Sequence, residues 1–196
     1  MRVLILGAFG KLGTILCEFL EKSNCFVYKW GRKEYELYNK EFLKFICKNK
    51  INRVINLIAL TDVDKCEFDK DLAYKVNVQT LEKIIEDIRI SEIPLIHIST
   101  DHLYSRTGYS KENEVNLLNV YALTKYSAEL VASKANATIL RTNYVHRSPV
   151  KGKSSYLDWV INSIHLKEDI SLFNNIIFSP LYGTTLCKKI LLVLEN

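Results

Sequence analysis

The sequence lacks any paired cysteine motif. Its five cysteines, at positions 17, 25, 47, 66 and 187, form no C-x-x-C pair and no metal-ligand spacing. An odd, scattered set in apolar contexts implies reduced thiols in a cytoplasmic protein rather than a disulfide framework. The four histidines, at 97, 102, 146 and 165, keep no ligand spacing with carboxylates or thiols, so no metal site is expected. Dense basic tracts are missing as well. The formal net charge of +5 is spread among glutamates, and Lys48-Asn49-Lys50 and Lys188-Lys189 are its densest spots. A solvated surface explains this balance, and no nucleic acid partner is expected. No apolar run reaches the length of a membrane span, so no membrane partner is expected either. The opening "MRVLILGAFG" carries one basic residue and passes straight into glycines, without the cleavage site a secretory signal needs. Internal repeats and low-complexity segments are absent.

What is present is an ordinary globular composition: 196 residues, 48% hydrophobic and 25% charged. That length supports one domain with a sizeable core. Short apolar, β-branched runs alternate with longer amphipathic ones. Val3–Leu6, Phe26–Trp30, "RVINLIAL", "PLIHIST" and "ATILRT" are expected strands. Between them stand "KLGTILCEFLEKS", "KEFLKFICKN", "DLAYKVNVQTLEKIIEDI" and the segment around Tyr121, all at helical spacing. Strands that are nearly continuous hydrophobic runs are buried on both faces, and helices between them imply a doubly wound parallel α/β sheet of the Rossmann type. Residues 1–142 are expected to form this domain. Residues 143–196, with a polar loop at "RSPVKGKSS", a helix near Tyr156–His165 and a last helix from Thr184, are expected to form a reduced substrate-side region packed on it.

Directly after the first strand comes "GAFGKLG", with Gly7, Gly10 and Gly13 opening a helix. Glycines there allow a tight turn and close approach of backbone to a pyrophosphate, which the helix N-terminus attracts. Phe9, Lys11 and Leu12 lie in the same loop. The second strand ends in Gly31, Arg32 and Lys33, with no carboxylate at the turn. A carboxylate would repel a 2′-phosphate, whereas Arg32 can clamp one, so NADPH is the expected cofactor, with Glu34 close enough to leave NADH open.

The segment "NVYALTKYSAE" has neither glycine nor proline and places Tyr121 four residues before Lys125. On a helix that spacing puts a phenol and an ammonium on one face, and a nearby positive charge favours the phenolate. With "GAFGKLG", "VINLIALTDVDKCE", Val76-Asn77, "ISTDHLYS", "ILRTNYV" and "FSPLYGTTL" in the same order, the sequence resembles the extended short-chain dehydrogenase/reductases. Within them it is most similar to the dTDP-4-dehydrorhamnose reductase family.

The resemblance implies an NADPH-dependent reductase of a 4-keto nucleotide-sugar. It makes Tyr121 the acid that protonates a carbonyl oxygen, Thr100 a second donor to that oxygen, and Lys125 the residue that holds the nicotinamide ribose and lowers the tyrosine's pKa. Ala59 and Thr61 would line the cofactor path. Asp101, His102 and Tyr144 would face the sugar, His102 standing where either a hydrogen bond or a bystander role fits. Related dehydratases carry a glutamate at the place of His102, which argues against dehydration here. Asn77 is expected to tie neighbouring segments together. The family also implies a homodimer, and a chain that continues beyond "FSPLYGTTL" to close over the nucleotide, so the grip on a nucleotide-sugar is expected to be reduced. Two further readings stay open: an oxidoreductase or epimerase acting on a smaller sugar, and a regulatory NAD(P)-binding protein without turnover.

Overall fold

The computed structural model describes residues 1–31, 38–105, 108–172, 174 and 178–196. Among them, one sheet contains β1 (Arg2–Leu6), β2 (Phe26–Trp30), β3 (Arg53–Asn56), β4 (Leu95–Thr100) and β5 (Thr138–Thr142). All four pairings are parallel, in the order β2-β1-β3-β4-β5. The α-helices are α1 (Lys11–Lys22), α2 (Tyr38–Asn49), α3 (Val63–Phe68), α4 (Lys70–Tyr74), α5 (Thr80–Ser91), α6 (Val120–Ala132), α7 (Tyr156–Leu166) and α8 (Gly183–Glu195). A two-residue parallel pair, β6 (Tyr144–Val145) with β7 (Leu181–Tyr182), ties the last third of the chain together.

The alternation of side chains along each strand explains the layers. Leu4, Leu6, Trp30, Val54 and Leu95 pack with Phe42 and Ile46 of α2, Leu81, Ile84 and Ile88 of α5, and Val131 of α6. On the opposite face Val3, Ile5, Ile55, Ile96 and Ile98 pack with Ile15, Leu16 and Leu20 of α1 and with Leu186, Cys187, Ile190 and Leu194 of α8. The doubly wound arrangement follows, and α8 shares a core with β1. Strand order reverses between β1 and β3, so a crevice opens at their C-terminal ends, where such sheets bind ligands.

Three local features differ from the sequence pattern. β3 ends at Asn56 rather than running to Leu60, because the Ile58 N–H donates to Asn56 Oδ1 (3.1 Å) and turns the chain out of the sheet. The segment Val63–Phe68 forms α3, capped by the Asp62 carboxylate, which accepts from the Lys65 N–H (3.0 Å). The long helix expected over residues 71–88 is interrupted by a π turn, Lys75–Gln79, between α4 and α5. That turn aims Asn77 inward: it accepts from the Leu60 N–H (2.6 Å) and donates to Thr124 Oγ1 (2.9 Å), joining the loop after β3 to α6.

Candidate active site

The crevice begins at the glycine loop. Gly7 adopts φ +86°, a left-handed conformation that favours glycine. A Cβ on Gly13 would stand 2.3 Å from the Gly7 carbonyl oxygen and 2.7 Å from the Ala8 carbonyl, so α1 starts in direct contact with the loop. Its N-cap is Gly10, which brings no capping side chain, and the first turn has no acidic residue. The partial positive charge of that terminus is therefore left for an anion.

α6 brings the phenol and the amine to the other side. Asn119 caps the helix, accepting from the Ala122 N–H (2.7 Å), while the Glu67 carboxylate accepts from the Val120 N–H (2.7 Å). These contacts fix the turn holding Tyr121, which is 8% exposed; Lys125, one turn on, is 2% exposed. Thr100 ends β4 and hydrogen-bonds the Tyr121 hydroxyl. Its Oγ1 also accepts from the His102 N–H (3.2 Å). The His102 ring meets the Tyr121 ring edge-on, with centroids 5.4 Å apart at 85°.

A cleft of about 460 Å³ joins these groups. Its walls include Gly7, Gly10, Lys11, Leu12, Gly13, Ala59, Thr61, Thr100, Asp101, His102, Tyr121, Lys125 and Tyr144, all anticipated from the sequence. Phe9 is not on the wall; it stands 59% exposed at the tip of the glycine loop. Arg32 and its neighbours Lys33 and Glu34 lie outside the described residues. The wall also contains Leu57 and Asn143, which lie within quoted motifs but were not expected at the site, and Lys153, which lies in no motif. Asn143 donates from Nδ2 to the Asp101 carboxylate (3.2 and 3.4 Å), holding in place the short turn that carries His102. A smaller hollow of about 350 Å³ shares Lys11, Thr61 and Tyr144 and continues along Arg147, Ser155 and Tyr156.

The electrostatics depart from one expectation. Lys125 does not lower the tyrosine's pKa here. Burial pushes the Tyr121 phenol up, with only the Thr100 hydrogen bond acting downward. The Lys125 ammonium instead donates to the Ile98 carbonyl (2.7 Å). Its own burial pushes it down to about 8, opposed by the Glu129 carboxylate. His97, buried behind it, is held well below the usual histidine range by burial and then by Lys125. Among the described residues no group of three or more His, Cys, Asp or Glu side chains could hold a metal ion.

The family model of the RmlD substrate binding domain matches residues 1–196. The chain belongs to this family. Two relatives give the scale of the RmlD likeness. The spore coat polysaccharide biosynthesis protein SpsK of Bacillus subtilis is 25% identical over 197 residues, covering 97% of this chain and 68% of SpsK. A dTDP-4-dehydrorhamnose reductase of Aggregatibacter actinomycetemcomitans is 31% identical over 150 residues, covering 73% of this chain and 51% of the relative. The match thus spans about half to two thirds of these RmlD-related proteins. Among solved structures, the dTDP-4-dehydrorhamnose reductase from Bacillus anthracis in complex with NADP superposes with a TM-score of 0.88 at 26% identity, covering all of this chain and 70% of that one.

Proposed function

We propose that this chain is an NADPH-dependent reductase of a 4-keto nucleotide-sugar, of the dTDP-4-dehydrorhamnose type, serving the synthesis of surface polysaccharide precursors. The observation that carries this reading is the convergence of Thr100, Tyr121 and Lys125 with the glycine loop in one cleft. RmlD membership and the NADP complex of the Bacillus anthracis neighbour support it. The residues present also fit a dinucleotide, because a Cβ on Gly13 would collide with the loop carbonyls and the start of α1 is free of a side-chain cap.

In this reading Gly7, Gly10, Lys11, Leu12 and Gly13 cradle the diphosphate, Ala59 and Thr61 line its path, and Lys125 holds the nicotinamide ribose. Arg32, which follows β2 in sequence, selects the 2′-phosphate. Bound there, NADPH supplies a hydride to the carbonyl carbon. Tyr121 gives its proton to the carbonyl oxygen, and burial holds the phenol in its protonated form beforehand. Thr100 orients the phenol and donates to the same oxygen. Asp101, steadied by Asn143, together with His102 and Tyr144 forms the sugar side. Residues 143–182 supply part of the substrate side; α8 packs with α1 on the cofactor side. The reduced thiols support a cytoplasmic setting, and a homodimer is the assembly proposed.

A second reading has a specific observation behind it. Tyr156, which lines the smaller hollow, and Trp159 and Leu166 further along α7 stand exposed. This favours a smaller sugar substrate, or a cofactor-holding protein without turnover. A thermal-shift series with NADPH, NADH and dTDP-, UDP- and GDP-sugars separates the readings. Stabilisation by NADPH and by a dTDP-sugar supports the reductase. Stabilisation by cofactor alone supports the second reading, and stabilisation by neither overturns both.

A further inference from the structure

We infer that Arg141 is a positioning residue for Lys125: by binding both oxygens of the Glu129 carboxylate, it holds that charge off the ammonium one helical turn away. Glu129 follows Lys125 by four residues on α6, as Lys125 follows Tyr121, so all three share one face. Glu129 is buried, and a buried carboxylate takes the best cation within reach. That cation is Arg141 of β5, whose Nε donates to Oε1 (2.9 Å) and whose Nη2 donates to Oε2 (2.7 Å). Arg141 is itself pinned: Nη1 donates to the Tyr104 hydroxyl (2.7 Å) and to the Glu112 carbonyl, and the guanidinium lies 5.4 Å from the Tyr104 ring centre. A planar fork meets this set of acceptors; an ammonium would not.

The outcome at Lys125 is visible. Its Nζ donates to the Ile98 carbonyl and not to Glu129. The titratable groups facing it are Tyr121 and Glu129 from α6 and His97 from β4. Asp101 of the turn after β4 and Cys66 of α3 act on Tyr121 instead. With the carboxylate occupied, burial dominates and the amine titrates close to working pH. Freed of Arg141, the carboxylate would act on the ammonium at full strength, and an opposite charge so close raises such a midpoint by about one pH unit or more.

The inference concerns Lys125 itself and rests on the proposed function only for its consequence at the cofactor. The test is therefore made without cofactor, by following the Lys125 Cε carbon resonance against pH in protein labelled at lysine, assigned by its loss in Lys125→Met. The parent is expected to titrate at about 8. Arg141→Met should move the midpoint up by about one pH unit, and Glu129→Gln should move it down. Should Arg141→Met not fold, Arg141→Lys, which keeps the charge and loses the planar fork on Glu129, must also move the midpoint up. Midpoints that coincide with the parent in Arg141→Met, or in Arg141→Lys where Arg141→Met does not fold, overturn the inference. Failure of the parent to bind NADPH in a separate titration would overturn the functional reading and leave this one standing.

Discussion

The two walls of the cleft are built differently. The wall formed by the strand ends, the glycine loop and α6 is rigid and dry: Thr100, Tyr121 and Lys125 are all buried, and each is held by a cap or a hydrogen bond to another element. The wall formed by the described residues between 143 and 182 is more exposed. Its aromatic and aliphatic side chains, Tyr156, Trp159, Ile164, Leu166 and Tyr182 among them, face solvent. It meets the rest of the protein through the Asn143 amide on Asp101, the packing of Tyr144 against the core under α1 and α8, and the Lys11 ammonium on the Ser154 carbonyl, while β6 and β7 pair within it. Reaction chemistry tolerates little displacement of its groups, whereas recognition can be assembled around a ligand. The difference places the proposed chemistry on the wall that is held more tightly.

The comparison can be broken first at Lys125. Its folded pKa of about 8 lies below the ordinary 10.5, so the unfolded chain binds the extra proton between those values and stability rises with pH across that interval. Relative to Lys125→Met, the parent should gain up to about 3 kcal/mol between pH 8 and 10.5 in denaturant titrations. The thiols of Cys17 and Cys187, pushed up to about 11 by burial, act in the opposite direction above pH 9, and cancel in that difference. A flat difference would mean that this wall is wet. Next is Gly13→Ala, whose added carbon meets backbone that cannot yield; it should cost about 1–3 kcal/mol and abolish NADPH binding, read by melting with and without cofactor. On the more exposed wall the effects shrink. Ser155→Ala breaks the capping box at the start of α7 and should cost about 1 kcal/mol, with cofactor affinity unchanged. Leu166→Ser, at a side chain 67% exposed, should change stability by less than about 0.5 kcal/mol. A large loss there would show that the face is covered in solution.

The rigid wall was also the legible one. β1 and β4 were plain in the sequence because buried parallel strands are uninterrupted apolar runs, the edge strands β2 and β5 because short runs of β-branched and aromatic residues mark them despite their partial exposure, and α1 because it repeats its apolar positions at helical spacing. Tyr121, Lys125 and Thr100 could be placed together because each ends or faces an element whose direction the pattern gave. What escaped was set by single hydrogen bonds or distant pairing. Six residues make α3 too short to show a period, although Asp62 is a recognisable cap. The π turn at Lys75–Gln79 leaves no trace in the apolar pattern that flanks it. β6 and β7 pair across more than thirty residues with two residues each, which no local signal foretells. Asn143 follows β5 directly and stands within "ILRTNYV", but nothing in that motif told that its amide would reach Asp101, and Lys153 comes to the cleft from the loop after β6, which no motif marked. The expected influence of Lys125 on Tyr121 failed because helical spacing gives a shared face but not where a flexible amine points; the Ile98 carbonyl decided that.

The central claim is that Tyr121 supplies the proton in a cleft that also holds NADPH. It is tested most directly by following NADPH absorbance in the presence of dTDP-4-dehydrorhamnose, for the parent and for Tyr121→Phe, with NADPH affinity measured for both. The account predicts that the parent consumes NADPH, and that Tyr121→Phe binds it as tightly but turns over about 10²–10⁴-fold more slowly. Equal rates in the two proteins would contradict it.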